Sequence, residues 1–378
     1  MKKGISFSGG GYRATLFAIG SLIRLNEEGL LKRLDTYTSV SGGAIAIGYL
    51  SLIWDKLEFV PLKKNQDLFI AINFFEIFVT PLMIFCEKDI DTRSIIKGIL
   101  RLQRPCYELE KYYDKYLFKN AKLCQITQDR EFIFYGTNYD TGVSVRLSRD
   151  SIRDYQLGTA THHDIKLSEA IAISSAFPPL MSPFIIKNHK MQWNDSPYSQ
   201  IKDEETLAYL RSNMRLADGG LYDNLGIEAL WKVGEQQEYD TVFVADAGAP
   251  FTIPQTKGKI LRIFENFCLS QYYRMTNIMI QQQRALRKRW LIHNFKEPGR
   301  YKGVYWGIET DINNYDNEHI LKPESRQRHL SQCKYLKTKL SPFKSHKNID
   351  VCNYAYALCD AALLYHHGYR TSEPKFPF

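Results

Sequence analysis

Three short segments of this chain carry residues whose types and spacing suit nucleophilic acyl chemistry. Ser41 sits in Ser39-Val40-Ser41-Gly42-Gly43, followed by the small residues Ala44 and Ala46. A nucleophilic serine on a strand-to-helix turn needs small neighbours, because the cramped turn lifts its hydroxyl above the sheet edge. The common pattern is G-x-S-x-G; here Ser39 stands at the first glycine, the mildest departure open to that position. Taken alone, Ser-Gly-Gly also reads as a serine-capped helix start. Asp218 lies in Ala217-Asp218-Gly219-Gly220-Leu221-Tyr222-Asp223-Asn224. A serine hydroxyl needs a group to take its proton, and a positioned base contributes roughly 10²- to 10⁴-fold in rate. The competing reading of Asp-Gly-Gly is a plain turn. Asp223 and Asn224 could cap a helix running from Gly226 or orient the loop.

The third segment is Ser8-Gly9-Gly10-Gly11-Tyr12-Arg13, where an apolar strand passes into a helical pattern. Glycines there bring backbone N–H groups close to a ligand, and a helix N-terminus favours negative charge. Such a loop can hold an oxyanion, where one donor is worth about 2.7 to 4 kcal/mol of barrier. Gly9, Gly11 and Ala14 equally satisfy the G-x-G-x-x-A dinucleotide pattern. That alternative describes a nucleotide-binding oxidoreductase, with Asp35 as a loosely placed ribose ligand.

In combination, a glycine loop, a serine elbow about thirty residues on, and a distant Asp-Gly-Gly are more specific than any one of them. The chain resembles the patatin-like phospholipase family, related to the cytosolic phospholipases A2. The resemblance extends through TNYDTGVSVR from Thr137 to Arg146 and AISSAFPPLMSP from Ala172 to Pro183, over roughly residues 4 to 250. It implies Ser41 as nucleophile, Asp218 as general base, and Gly9, Gly10 and Gly11 lining the oxyanion hole. Arg13 follows the family's arginine, and Gly43, Gly219 and Gly220 support the two turns. It also implies a Ser-Asp dyad acting through an acyl-enzyme on membrane phospholipid esters, with no histidine required. Asp218 must then rest ionised, which the backbone donors of a glycine-rich turn are expected to support. The nine histidines form no catalytic motif, and His162-His163 reads as a solvated pair. No metal-ligand set is visible, so neither cofactor nor calcium is expected. A catalytically silent lipid-binding protein is the remaining alternative.

Fifty Lys+Arg against 41 Asp+Glu give +9 at pH 7, which suits anionic partners without selecting one. A phospholipid surface is the expected partner, an activating nucleotide and self-association are further possibilities, and a nucleic-acid polymer is not expected. Members of the family serve as nucleotide-switched, membrane-degrading effectors in bacterial anti-phage defence, an analogy compatible with this chain. Seven scattered cysteines without a CxxC pair point to a reducing compartment. Lys2 and Lys3 lead straight into a short strand and glycines, not a signal-peptide apolar core, so a cytoplasmic enzyme meeting membranes peripherally is the expectation.

These residues need a scaffold. Strand Gly4 to Ser8, helix Tyr12 to Glu28, strand Thr36 to Ser41 and helix Gly43 to Ile53 form a βαβα unit, hence a parallel sheet with covering helices. Strands at 131–135, 143–147 and 241–245 and a helix at 167–174 extend it. The fold expected is a three-layer α/β/α arrangement with a mostly parallel sheet, as one patatin-like domain over 1–378. It would carry a helical insertion at about 55–125 and a helical C-terminal elaboration at about 258–378. That elaboration holds a long helix at 258–292 and two more in 322–378, and these regions are where a regulatory or oligomer contact is expected. Leu68 to Phe85 is apolar, with Gln66, Asn73, Glu76 and Thr80 as a narrow polar stripe on a helix, either buried or dipping into a bilayer. Arg284 to Arg289, RALRKR, with Trp290, reads as a solvated basic face or a membrane-facing patch.

Overall fold

A computed structural model describes residues 1–63, 65–187, 191–232, 237–251, 253, 268–315, 320–321 and 330–378. The first βαβα unit forms as its hydrophobic pattern predicts. Strand β1 (Lys2–Phe7) leads into α1 (Gly11–Glu27), and β2 (Thr36–Ser39) leads into α2 (Ser41–Ile53). The long, mostly apolar α1 is buried along nearly its whole length. It lies between the sheet and the last helix, Ser345–His367, as expected of a helix apolar all round.

The chain has a mixed α/β fold around a large, mostly parallel central sheet. Its parallel part runs β5 (Glu131–Asn138), β2, β1, β12 (Tyr239–Asp246), β13 (Lys302–Gly307). Antiparallel strands widen it beyond β5: β6 (Ser144–Ser148), β7 (Ile152–Asp154), β8 (Gly158–Thr161) and β10 (Gln192–Asn194). Another pair, β9 (Phe184–Lys187) and β11 (Asn213–Asp218), attaches to β5 by itself.

That last attachment positions the site. On one edge of β5, residues 131–134 pair in parallel with β2, and residues 136–138 pair antiparallel with β11. The two shorter strands therefore lie in line along one edge, pointing toward each other. Their C-terminal ends, Ser39 and Asp218, meet opposite Tyr135.

Residues 55–125 depart from the helical expectation only at their start, before helices such as Asp91–Leu100 and Pro105–Tyr113. They open with a hairpin of β3 (Phe59–Leu62) and β4 (Asn65–Ala71), so Leu68 to Phe85 begins as strand and continues as helical turns at Phe75–Val79 and Thr80–Phe85. A distant side chain fixes this choice. The Asn26 amide pairs with both backbone groups of Ala71, at 2.8 and 3.0 Å, taking the role of a neighbouring strand. Asn73 then ends β4 by bonding Glu58 N–H and Lys56 C=O. Phe74, Phe78, Val79, Leu82 and Phe85 join the core, and among the described residues no helix is long and apolar enough to cross a membrane.

Two further expectations fall partly outside the described residues. The helix predicted from 258 begins, within the described residues, at Cys268–Lys296, and 258–267 lies outside them. Of the two helices predicted in 322–378, Ser345–His367 forms and Ser331–Tyr335 is a 3₁₀ turn, with 322–329 outside the described residues. The last helix is clamped to α1 by buried charges. Arg24 pairs with Glu28 and with Asp360 at 2.8 Å, and Arg370 closes on the same Asp360.

Candidate active site

Ser41 opens α2 with φ of 51°, in the left-handed region that costs a non-glycine residue of order 1 to 3 kcal/mol. The turn holds because every neighbour is tight. A Cβ on Gly42 would lie 1.9 Å from the Gly11 carbonyl oxygen, and one on Gly43 would lie 2.7 Å from that of Ser8. The Ser41 N–H donates to Ser174 Oγ at 2.9 Å. Ser39, at the position usually glycine, is fully buried, and its hydroxyl has no hydrogen-bond partner.

Asp218, the last residue of β11, is buried against Ser41. Its carboxylate accepts from Gly220 N–H at 2.7 Å, and the Ser41 side chain lies close enough to favour its charged form. Burial outweighs both and pushes its pKa up to about 7. The turn donors therefore keep Asp218 ionised at rest only in part at neutral pH, because they do not offset removal from water. The backbone is pinned on both sides: Asp218 N–H donates to Ala176 C=O at 3.0 Å, and Thr137 Oγ1 donates to Asp218 C=O at 2.9 Å. Gly219 must be glycine, since a Cβ there would lie 2.5 Å from the Tyr135 carbonyl oxygen.

The glycine loop wraps the N-terminus of α1. Gly9 N–H is taken by Asn224 C=O at 3.1 Å, so it is withdrawn from the expected oxyanion donors. Gly10 caps the helix and Gly11 begins it, and N–H groups at these positions have no intrahelical partner. Both have positive φ, and a Cβ on Gly11 would strike the Lys339 backbone at 2.5 Å. Gly9 packs toward Ser41, its virtual Cβ 3.3 Å from Ser41 Cβ. Arg13 faces away from the site. It is buried, donates to Ala247 C=O at 2.9 Å, to Leu336 C=O and to Thr338 Oγ1, and so ties the loop to the chain around 336–338.

Reading the sequence missed three positioning groups. Ser174 and Ala176, within AISSAFPPLMSP, hold the backbones of Ser41 and Asp218 respectively, so one segment sets the distance between them. Asn224 bridges the two glycine turns: its backbone holds Gly9, and its Oδ1 fills the space beside Gly9 and Gly220. Among the described residues no helix runs on from Gly226. Asp223 instead accepts from Leu225 and Glu228 N–H, closing the loop. His163 is buried and bonds Ser148 C=O, unlike the exposed His162, so the pair is not jointly solvated.

The basic run also turns partly inward. Arg284 pairs with Glu309 and with Asp246, a buried carboxylate at a strand end that needs a cation, and Arg287 pairs with Glu228 against the Trp231 ring. Asp35 stands before β2 and accepts from Lys3 N–H. A ribose ligand belongs at the other end of that strand, so the dinucleotide reading loses its acidic residue. Among the described residues no cluster of His, Cys, Asp or Glu could hold a metal ion.

The fold, though not by itself the site, is shared with a solved human protein. In fold, the chain is similar to human GIVD cytosolic phospholipase A2, with a TM-score of 0.54 and 11% identity, covering 98% of this chain and 63% of that one. The same human protein in complex with methyl gamma-linolenyl fluorophosphonate and terbium chloride gives a TM-score of 0.52 and 12% identity, covering 95% and 57%. VipD from Legionella pneumophila gives 0.41 and 13%, covering 97% and 67%. This chain thus spans under two-thirds of the human protein's length, and no curated protein sequence matches it. The family model for patatin-like phospholipase matches residues 5–231, taking in the glycine loop, Ser41 and Asp218. The chain belongs to the patatin-like phospholipase family.

Proposed function

We propose that this protein is a serine lipid acyl hydrolase of the phospholipase A type, working through Ser41 and Asp218. Family membership supports lipid acyl hydrolysis, and one observation carries the finer reading: Ser41 and the buried Asp218 lie at the facing ends of β2 and β11, where burial pushes the Asp218 pKa up to about 7. A base with a pKa near the working pH best combines the right protonation state with proton affinity.

Ser41 Oγ attacks the ester carbonyl as Asp218 takes its proton. The N–H groups of Gly10 and Gly11 stabilise the oxyanion. Asp218 then returns the proton to the departing lysolipid alcohol, and water, activated by the same carboxylate, releases the fatty acid. Cytoplasmic location, peripheral contact with phospholipid membranes, activation by an anionic nucleotide and a role in anti-phage defence are parts of the same proposal, resting on family analogy.

The test is fluorophosphonate labelling mapped by mass spectrometry, with phospholipid hydrolysis by wild type, Ser41→Ala and Asp218→Asn. Label on Ser41 and losses of about 10⁴-fold or more in both variants are expected. Hydrolysis retained by both would sink the dyad.

A further inference from the structure

The helix Cys268–Lys296 packs Leu291, Trp290 and Phe295 inward, yet it also exposes a run of apolar side chains on its other face. Its inward face carries Arg284 and Arg287, held by Asp246, Glu309 and Glu228. Its outward face carries Tyr272, Met275, Met279 and Leu286 at helical spacing, with Met279 63% and Leu286 60% exposed. A run of exposed apolar side chains along one helix is not what water favours, and such patches mark contact surfaces. The helix also has no Asp or Glu in its 29 residues, while Arg289 lies on the outward side and Lys296 at the end.

This face runs up to the active site. Asp218 is held by Ala176, and the next residue, Phe177, meets Tyr273 edge-on at 6.1 Å between ring centroids. Leu180, three residues on, is 54% exposed. The apolar stripe therefore continues through Tyr273 onto Phe177 and Leu180, in the segment that holds Asp218.

We infer that the outward face of Cys268–Lys296 is the surface by which this protein lies on an anionic lipid bilayer, with Tyr272, Met275, Met279 and Leu286 inserted at the headgroup boundary. Cations with no carboxylate between them complement anionic headgroups, and apolar side chains at helical spacing suit shallow insertion. A second copy is the poorer occupant. Two-fold pairing of this face would set like charges against each other. This assignment moves the membrane contact away from Leu68 to Phe85, most of whose large side chains pack in the core. It rests on the hydrolase reading only for the direction in which the site faces the bilayer.

The full chain is co-sedimented with vesicles of phosphatidylcholine alone and of phosphatidylcholine with phosphatidylglycerol. Wild type and Ser41→Ala bind the anionic vesicles equally, since docking does not need the nucleophile. The double variant Met279→Asp/Leu286→Asp binds at least about tenfold more weakly, from the loss of two inserted apolar side chains. It hydrolyses a soluble short-chain ester at the wild-type rate, which also shows that it is folded. Arg289→Glu narrows the preference for anionic over neutral vesicles. Wild-type binding by the double variant overturns the inference, as does conversion of a wild-type dimer to monomer, which would assign the face to a second copy. Wild type that binds vesicles but hydrolyses no ester upholds the docking face and removes the hydrolase reading instead.

Discussion

Asp218 and Asp246 end two strands with nearly the same local sequence, Ala-Asp-Gly-Gly and Ala-Asp-Ala-Gly. Each is buried, and each accepts a hydrogen bond from the backbone N–H two residues on, Gly220 at 2.7 Å and Gly248 at 2.8 Å. Their surroundings differ in one respect. Asp246 receives the Arg284 guanidinium at 2.7 Å and the Tyr305 hydroxyl at 2.6 Å. Burial pushes its pKa up, but the Arg284 charge more than reverses this and holds it below the usual carboxylate range. Asp218 has only the Ser41 hydroxyl in that place, and burial lifts it to about 7. A buried carboxylate with a cation is a structural anchor, and one with only a hydroxyl is a base waiting for a proton.

Removing the anchor tests the contrast most severely. Asp246→Asn leaves Arg284 buried with only Glu309 as a charged partner, which should cost about 3 to 5 kcal/mol of stability at pH 7. Urea unfolding reads this directly, and an unchanged midpoint would mean the ion pair contributes nothing. The loss should shrink in acid, because a depressed carboxylate contributes stability above its unfolded pKa and loses it as pH falls through the folded one.

Asp218→Asn should behave in the opposite sense. A carboxyl whose folded pKa is raised is stabilising below its unfolded value near 4, and that contribution is lost as pH rises toward the folded value of about 7. The asparagine variant should therefore match wild type near pH 4 and exceed it by up to about 4 kcal/mol at pH 8. A pH-independent difference between the two would show that Asp218 is not desolvated.

The same titration should appear in catalysis as a smaller, graded effect. Ester hydrolysis should rise with pH and reach half its plateau near pH 7, where Asp218 loses its proton. A profile flat from pH 5 to 8 would exclude a base of this pKa.

The smallest effect concerns the elbow itself. Ser39→Ala removes a buried hydroxyl that has no partner, and stability should rise by about 1 kcal/mol with little change in rate. A marked loss of activity would mean that this hydroxyl has a partner during turnover.

Much of the scaffold was legible because it is local. The 3.6-residue pattern of 11–27 and the apolar runs of β1, β2 and β12 depend only on neighbours in sequence, as does the Leu167–Ser174 helix. The strand opening of Leu68 to Phe85 was not legible, since it is set by Asn26, 45 residues away from Ala71. The inward turn of Arg284 was hidden for the same reason: a basic run looks solvated until the strand ends that neutralise it are placed beside it.

The sequence by itself determined which chemical groups are present and where glycine is required. Ser41, Asp218 and the Gly9–Gly11 loop can be read from residue type and turn chemistry, because small residues and tight turns are local needs. It singled out Asp218 through the family resemblance, but it did not show why Asp246, in a similar turn, should be a structural anchor instead. Only the tertiary structure did that, by laying β2 and β11 in line along β5 and sending Arg284 to the other strand end. The reactivity of a carboxylate depends on burial and on the charge beside it, and both are set by chain segments far away in sequence.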